Sequence, residues 1–357
     1  MKKIVLLIAC VVASSVICAQ QLPDPHFEDW SATFNKDIQL KDWHGSNVSQ
    51  LGFKFTFLFQ KPGRTGYCAY VADREIGAFG IKETGPGYFS LGEAWQLLKG
   101  LSTGSATAGT VGGIAWKYRP DTISVWIKRT GAHTADEDFH ILYYAWTGSS
   151  KGTQYKNKNG GATTTERINE ESDIRQATDA NEFGTEVKAK QVAEGWLRAR
   201  AQYNNWTQIK VPIYYFNDAQ PSMCNVIFSA GNYPAFRAND GLYDGNGLYV
   251  DDVELIYSSK IETLKINGVV MPDFNPNATG VQTFKVPNDE DIRIEGYRGA
   301  GKLKNIKGKT AVLKGRKLSD KEMTIQPGKV NGAPYVITVN AEDGSSQTVY
   351  KVKLTSY

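Results

Sequence analysis

Two adjacent carboxylates, Asp251 and Asp252, interrupt an alternation of apolar and polar residues late in the first two-thirds of the chain. The apolar positions alternate through 248–250 and resume at 253–255, shifted by one residue. A period of two that is reset by one extra residue is typical of a strand with a β-bulge. A carboxylate pair in a half-buried strand is costly unless it meets a cation or several backbone N–H donors. The pair therefore predicts either a metal site or a β-bulge in which backbone N–H groups donate to the carboxylates.

Two aromatic segments carry side chains that could contact a sugar. In 122–128 the odd positions are aliphatic, so Trp126 and Lys128 share the opposite face of a strand with Ser124. In 139–146 the even positions again share one face. Sugar-binding sandwiches use aromatic faces for stacking, although such residues more often belong to a core or lie beneath a loop. The candidate carbohydrate contacts are Trp126, Lys128, His140, Tyr144 and Trp146.

Motifs that would carry catalysis are incomplete. Residues 148–152 match the nucleophile-elbow pattern, but a polar segment follows where a helix is required, and no histidine occurs after His140. Residues 296–302 resemble a phosphate loop, but Leu303 stands where a Ser or Thr should bind Mg²⁺. The four histidines include no pair spaced for zinc. A carboxylate pair for glycoside hydrolysis stays open, since nothing in the spacing of the acidic residues selects two of them.

The composition favours a turn-rich β protein. The 357 residues leave room for about two domains. The 35 glycines, 8 tryptophans and 18 tyrosines favour an aromatic-rich β protein over a helical bundle. The net charge of +4 is small and the basic residues alternate with acidic ones, which argues against a nucleic-acid partner.

Residues 1–19 are typical of a secretory signal peptide, with two lysines before a short apolar run and Ala19 at the end. The run is too short for a transmembrane span, and no later segment supplies one. We expect cleavage after Ala19 and export to the periplasm, the cell surface or the medium. Lipidation of Cys10 is a less favoured alternative, because the apolar region before it would be very short.

Cleavage would leave two cysteines, Cys68 and Cys224. In an oxidising compartment they could form a disulfide that stabilises the fold by about 5 kcal/mol on the chain-entropy model. The alternative is a pair of buried thiols in separate strands. The sequence leaves both possibilities open.

Short runs of β-forming residues separated by turn residues predict two antiparallel β-sandwiches. The single helix candidate is 92–98, whereas 100–113 is expected to be a loop and 148–172 an exposed insertion. From residue 259 the sequence is more basic and contains no tryptophan. We therefore expect a signal peptide at 1–19, an antiparallel β-sandwich at 20–258 and a small immunoglobulin-like sandwich at 259–357.

Three segments in order, 119–128, 206–214 and 248–257, resemble the putative carbohydrate metabolism domain (PCMD) family of secreted and surface proteins from glycan-degrading bacteria. The likeness covers about 22–257. Segments 264–268 and 339–344 are similar to cadherin-like β-sandwich modules of bacterial surface proteins. These resemblances imply a galactose-binding-like jelly roll followed by an adhesive or spacer module, and neither family contributes a catalytic set.

The same resemblance implies a structural Ca²⁺ ion. In carbohydrate-binding jelly rolls of similar design, an early Phe-Glu pair and a late Asp often hold calcium, and Phe27-Glu28 and Asp251-Asp252 stand at matching places. Glu28, one Asp and several backbone carbonyls would supply the six to eight oxygens that Ca²⁺ prefers.

Taken together, these observations predict an exported, non-catalytic glycan-binding protein that supports bacterial polysaccharide utilisation. Its partners would be a glycan and, through the second module, other surface proteins. One alternative is a glycoside hydrolase or lyase that uses a carboxylate pair. Another is a structural or adhesin protein that binds protein partners.

Overall fold

The computed structural model describes residues 20–50, 52–78, 81–99, 105–148, 154–156, 165–167, 190–231, 242–287, 291–304 and 310–357. Within these ranges every regular element is a β-strand, so the predicted all-β class is confirmed. The expected signal peptide at 1–19 lies outside the described residues, as does most of the insertion expected at 148–172. Among the described residues, no helix has the length and hydrophobicity needed to cross a membrane.

The strands are short and are separated by turns. Those up to residue 130 are β1 (Ala32–Phe34), β2 (Asp37–Gln39), β3 (His44–Gly45), β4 (Val48–Gln50), β5 (Phe53–Phe55), β6 (Leu58–Pro62), β7 (Tyr67–Ala72), β8 (Arg74–Ala78), β9 (Ile81–Gly85), β10 (Tyr88–Ser90), β11 (Glu93–Lys99), β12 (Ser105–Val111), β13 (Ile114–Ala115) and β14 (Thr122–Thr130). Those from 139 to 256 are β15 (Phe139–Thr147), β16 (Gln154–Lys156), β17 (Thr165–Arg167), β18 (Lys190–Ala199), β19 (Tyr203–Pro212), β20 (Tyr214–Tyr215), β21 (Met223–Ser229) and β22 (Gly247–Ile256). The remainder are β23 (Thr263–Ile266), β24 (Val269–Val270), β25 (Val281–Val286), β26 (Ile294–Lys304), β27 (Thr310–Lys317), β28 (Met323–Gln326), β29 (Tyr335–Asn340) and β30 (Gln347–Ser356).

The first sandwich consists of two sheets around one core. A five-stranded sheet has the order β19-β14-β22-β7-β6, and a second sheet has the order β20-β18-β15-β21-β10-β3, with β13 beside β21. Alternate residues of β14, namely Ile123, Val125 and Ile127, are fully buried and pack in one cluster with Ile141 of β15 and Phe228 of β21. Burial of each such side chain contributes about 1.5–3 kcal/mol, so the period-two pattern determines which face of each strand is turned inward.

Residues 20–30 lie against β22. This agrees with the expectation that the early Phe27-Glu28 pair and the late Asp251-Asp252 pair lie close together. The Val253 N–H donates to the Pro25 carbonyl at 2.8 Å. The Gln21 side chain accepts from the Leu255 N–H at 2.7 Å and donates to the Leu255 carbonyl at 2.9 Å. The N-terminal segment is therefore fastened to the last strand of this sandwich.

The β-bulge predicted at the aspartate pair is confirmed. Ser124 of β14 faces Glu254, whereas Trp126 faces Asp251, so β22 has one extra residue at this point. Asp252 takes a left-handed backbone conformation with φ of 47°. The bulge turns the two aspartates in different directions.

The helix candidate at 92–98 is wrong, and so is the loop expected at 100–113. Residues 93–99 form β11, which pairs in antiparallel register with β12, from Glu93 opposite Val111 to Lys99 opposite Ser105. Short apolar segments do not distinguish helix from strand by themselves, and the ladder to a neighbouring strand decides the outcome here.

The second sandwich has its own core. One sheet has the order β24-β23-β26-β27 and the other has the order β25-β30-β29-β28, in which β25 and β30 are parallel. Leu264, Ile337, Val352 and Leu354 are fully buried in a cluster separate from the first core. These sheets agree with the sandwich predicted for this part of the chain, while the domain boundary at 258/259 stays a prediction.

A buried ionic cluster joins the two sandwiches. The turn before β14 presents Arg119 and Asp121, and the second sandwich supplies Arg298, Arg316 and Glu322. Arg316 Nη1 lies 2.9 Å from Glu322 Oε1, and Arg119 Nη2 lies 3.1 Å from Glu322 Oε2. Both Arg298 and Arg316 are fully buried, so their charges depend on these carboxylates.

Candidate functional site

The outer face of the five-stranded sheet carries a line of aromatic side chains that runs across the strands. Phe59 of β6 faces Tyr70 of β7, and Tyr70 faces Tyr249 of β22. Tyr249 faces Lys128 of β14, and Trp206 of β19 lies beyond it. We call Phe59, Tyr70, Tyr249 and Trp206 the aromatic row.

The rings of the aromatic row contact one another from strand to strand. The ring centroids of Tyr70 and Tyr249 are 4.4 Å apart, those of Phe59 and Tyr70 are 6.1 Å apart, and those of Trp206 and Tyr249 are 6.3 Å apart. All four side chains are half-buried. These three centroid distances limit the row to about 17 Å from Phe59 to Trp206. A surface of this length accommodates several sugar rings of an extended chain.

Local sequence places these rings outside. In β7 the small or apolar residues Ala69 and Val71 turn into the core, so Tyr70 between them turns outward. In β22 the core positions Leu248 and Val250 flank Tyr249 in the same way. The row was not predicted, because it depends on strand order as well as on alternation.

Cations lie over the rings of the aromatic row. Lys128 Nζ is 4.1 Å from the ring centroid of Tyr249 and 5.7 Å from that of Trp206. Lys61 Nζ is 5.9 Å from the Tyr70 centroid, and the Arg74 guanidinium is 5.5 Å from the Phe59 centroid. None of these three cations has a carboxylate of the described residues within 4.0 Å. The face therefore combines apolar ring surface with positive charge.

Trp126 lies beside the row but is covered. The Arg64 guanidinium stacks 3.8 Å from its ring centroid. Arg64 also forms an ion pair with Asp252, whose other oxygen lies 2.7 Å from His26 Nδ1. Trp126, a predicted sugar contact, is half-buried like the rings of the row, and Arg64 occupies one face of its ring.

The predicted calcium ligands surround the turn between β6 and β7. Asp251 is fully buried and accepts the Arg64 N–H at 2.7 Å and the Asp252 N–H at 2.9 Å. Glu28 accepts the Tyr67 N–H at 2.9 Å. Burial, together with the charge of Asp252, raises the pKa of Asp251 to about 6. The structure thus brings the predicted residues together, with backbone donors on the carboxylates and a guanidinium on Asp252.

The carboxylate oxygens of Asp251 accept backbone N–H groups, as the alternative of a β-bulge with backbone donors predicts. A bound ion would compete with the Arg64 guanidinium for Asp252. Calcium binding by Glu28, Asp251 and Asp252 stays a prediction, which calorimetric titration of the protein with Ca²⁺ would test.

The remaining predicted sugar contacts lie on the other sheet. His140, Tyr144 and Trp146 of β15 are each 1% exposed. Tyr144 and Trp146 stack at 5.4 Å, and His140 stacks on Trp196 at 6.1 Å. Tyr144 and Trp146 form a second apolar layer with Tyr88 and Ile227. A glycan does not reach these three β15 side chains in this conformation, so Trp126 and Lys128 are the predicted contacts that adjoin the aromatic row.

The proposed disulfide is absent. Cys68 and Cys224 are buried free thiols. Cys224 lies in the core of the first sandwich, whereas Cys68 alternates with the core residue Ala69 and so occupies the other face of β7. Burial raises the pKa of Cys68 to about 12, so the thiol is protonated and unreactive at neutral pH.

A buried carboxyl pair, Asp73 and Glu137, was not identified in the sequence. Each has one oxygen 2.0 Å from the position that a Cβ on Gly231 would take, so the two groups converge there. Asp73 accepts the Gly87 N–H at 2.7 Å, and Glu137 accepts from Asn246 Nδ2 at 2.7 Å. Burial and the nearby charge of Glu137 raise the pKa of Asp73 well above its ordinary value. Both side chains are inaccessible to solvent, so the described residues do not present them to a substrate.

No protein-family model matches the chain, and no curated protein matches it. Among solved structures, a "putative glycoside hydrolase" from Bacteroides thetaiotaomicron is 14% identical with a TM-score of 0.38, covering 66% of this chain and 70% of that chain. A second such protein from Bacteroides vulgatus is 14% identical with a TM-score of 0.35, covering 56% and 76%. A cleaved adhesin domain of Lys-gingipain from Porphyromonas gingivalis is 11% identical with a TM-score of 0.22, covering 54% and 74%.

At these TM-scores the likenesses carry no argument about activity. Membership of the PCMD family is not confirmed and stays a prediction.

Proposed function

We propose that this protein binds glycan chains without altering them and that the aromatic row is the contact surface. The observation that carries the proposal is the continuous line of four half-buried rings across five strands. Aromatic rings offer flat apolar surface to the C–H faces of sugars at a low cost in conformational entropy. The rings are held by their neighbours, so little ordering is required when a chain binds.

The hydrolase alternative has less support from the described residues. Glycoside hydrolysis requires two carboxyl groups about 5–9.5 Å apart that face a substrate groove. Asp73 and Glu137 converge but are buried, and Asp251 is buried with both oxygens accepting backbone N–H groups. A binding role therefore accounts for the geometry with fewer assumptions than catalysis.

The proposal includes export and a role for the second sandwich. Cleavage of residues 1–19 would release the protein to the periplasm, the cell surface or the medium. The buried ionic cluster would hold the second sandwich firmly against the first, as expected of a module that spaces or docks the binding surface.

A polysaccharide array probed with the full chain tests the proposal. We expect retention on one class of glycan, with no release of reducing ends from that glycan during prolonged incubation. Release of reducing ends would support the enzyme alternative, and absence of binding across a broad array would contradict the binding role.

A further inference from the structure

We infer that the glycan bound by the aromatic row is anionic, with carboxylate or sulfate groups that pair with Lys128, Lys61 and Arg74. The inference rests on the proposed glycan-binding function and adds the chemical class of the ligand. It follows from where the cations lie on this face and from which acidic groups nearby are already engaged by other donors.

The first observation is the match between rings and cations. Lys128 lies over Tyr249 and adjoins Trp206, Lys61 adjoins Tyr70, and Arg74 adjoins Phe59. Every ring of the row therefore has a positive group at its face. A neutral sugar that stacked on Tyr249 would have to displace the Lys128 ammonium, whereas an acidic sugar could pair with it.

The second observation is that, in the part of the chain that the structure describes, no carboxylate forms an ion pair with these cations. No carboxylate of the described residues lies within 4.0 Å of Lys128, Lys61 or Arg74. An ammonium has three donors and no acceptor, and a ring face satisfies it only in part. Oxyanions of a ligand would supply short, charge-assisted hydrogen bonds at these positions.

The third observation is the state of the nearby acidic groups. Asp252 is engaged by Arg64 and His26, and Asp251 is buried with both oxygens bound to backbone N–H groups. Glu254 is exposed but lies opposite Ser124, on the far side of the bulge from Lys128. The charge offered to a ligand along the aromatic row is therefore positive.

A pair of polymers that differ only in charge provides the test. Polygalacturonate and its fully methyl-esterified form share one backbone, and chondroitin sulfate and unsulfated chondroitin form a second pair that separates sulfate from carboxylate recognition. Titration calorimetry with the full chain should show at least about tenfold tighter binding of the more highly charged member of one pair, corresponding to one charge-assisted contact. Binding should weaken as salt is raised.

Variants identify the cations responsible. Lys128→Gln and Lys61→Gln should each reduce affinity for polygalacturonate by about tenfold, whereas affinity for its methyl-esterified form should not fall. Lys351→Gln, on an exposed position of β30 in the second sandwich, is the matched control and should have no effect.

Each result has a distinct meaning. Equal affinity for the two members of each pair would overturn the anionic assignment and leave the proposed function standing. Failure of all four polymers to bind would also overturn the anionic assignment, whereas the proposed function is contradicted only by absence of binding across the broad array. If Lys351→Gln weakened binding of the acidic polymer as much as Lys128→Gln does, binding would reflect general charge attraction. That result would also overturn the assignment.

Discussion

Arg119 and Glu342 are 223 positions apart in the chain, yet the Arg119 N–H donates to Glu342 Oε2 at 2.8 Å. The Arg119 side chain also contacts Glu342 and Glu322, which fastens the turn before β14 to the second sandwich. Within the first sandwich, the Tyr215 hydroxyl donates to the Pro120 carbonyl at 2.6 Å and holds this turn in place. Oriented polar contacts of Arg119 thus join the two sandwiches.

Glu322→Gln should destabilise the protein by about 3–5 kcal/mol, because it removes the carboxylate charge that faces the fully buried Arg298 and Arg316 as well as Arg119. Glu322 accepts from Arg316 and Arg119 and lies 3.6 Å from Arg298. Differential scanning calorimetry of the full chain measures the change. Glu254→Gln, at an exposed position, is the control and should stay within about 0.5 kcal/mol of the native protein. Equal stability of the two variants would show that the cluster contributes little.

Asp73→Asn should raise the melting temperature at neutral pH. Burial and Glu137 raise the pKa of Asp73, so the folded state binds a proton more tightly than the unfolded state does. The contribution of this bound proton to the free energy of unfolding is fully present below the ordinary pKa of 3.8. It is lost as pH rises through the raised pKa of Asp73 in the folded state. Asparagine mimics the protonated acid at all pH values.

The measurement for Asp73 is a series of melting curves across pH. The native protein should lose stability as pH rises from acid, and Asp73→Asn should show a smaller loss. Asp244→Asn serves as the control, since Asp244 is an exposed residue that accepts the Glu75 N–H. Parallel pH profiles for the native protein and Asp73→Asn would contradict a raised pKa of Asp73 in the folded state.

Gly66→Ala should be more destabilising than Gly268→Ala. Both glycines have positive φ, 61° and 79°, so alanine is strained at each. A Cβ on Gly66 would lie 2.1 Å from Glu28 Oε1, whereas a Cβ on Gly268 meets nothing within 4 Å. The backbone strain of about 1 kcal/mol is common to both, and the extra loss at Gly66 reports the contact with Glu28. Equal losses in thermal unfolding would show that Glu28 moves away freely.

Local alternation predicted much of the first sandwich. The faces of β14 and the bulge at Asp251 and Asp252 follow from period-two patterning, which depends on neighbours within a few residues. The same patterning placed His140, Tyr144 and Trp146 on one face correctly. It could not show that this face is buried, because the residues that pack against it come from distant strands.

Contacts between distant segments could not be predicted from the sequence. Arg119 and Asp121 belong to a turn motif that gave no sign of their ionic partners, because Arg298, Arg316 and Glu322 resemble ordinary surface charges in the sequence. The aromatic row was missed for a related reason. The outward position of Tyr70 is readable from its neighbours, but the strand order that sets it beside Tyr249 is not.

The central claim is that the aromatic row binds the glycan, and calorimetric titration of Tyr249→Ala tests it most directly. Tyr249 lies in the middle of the row, so loss of its ring should weaken binding of the preferred polysaccharide by about tenfold or more. Tyr357→Ala removes an 85%-exposed aromatic residue elsewhere and should bind as the native protein does. Native-like affinity of a folded Tyr249→Ala variant for that polysaccharide would contradict the account.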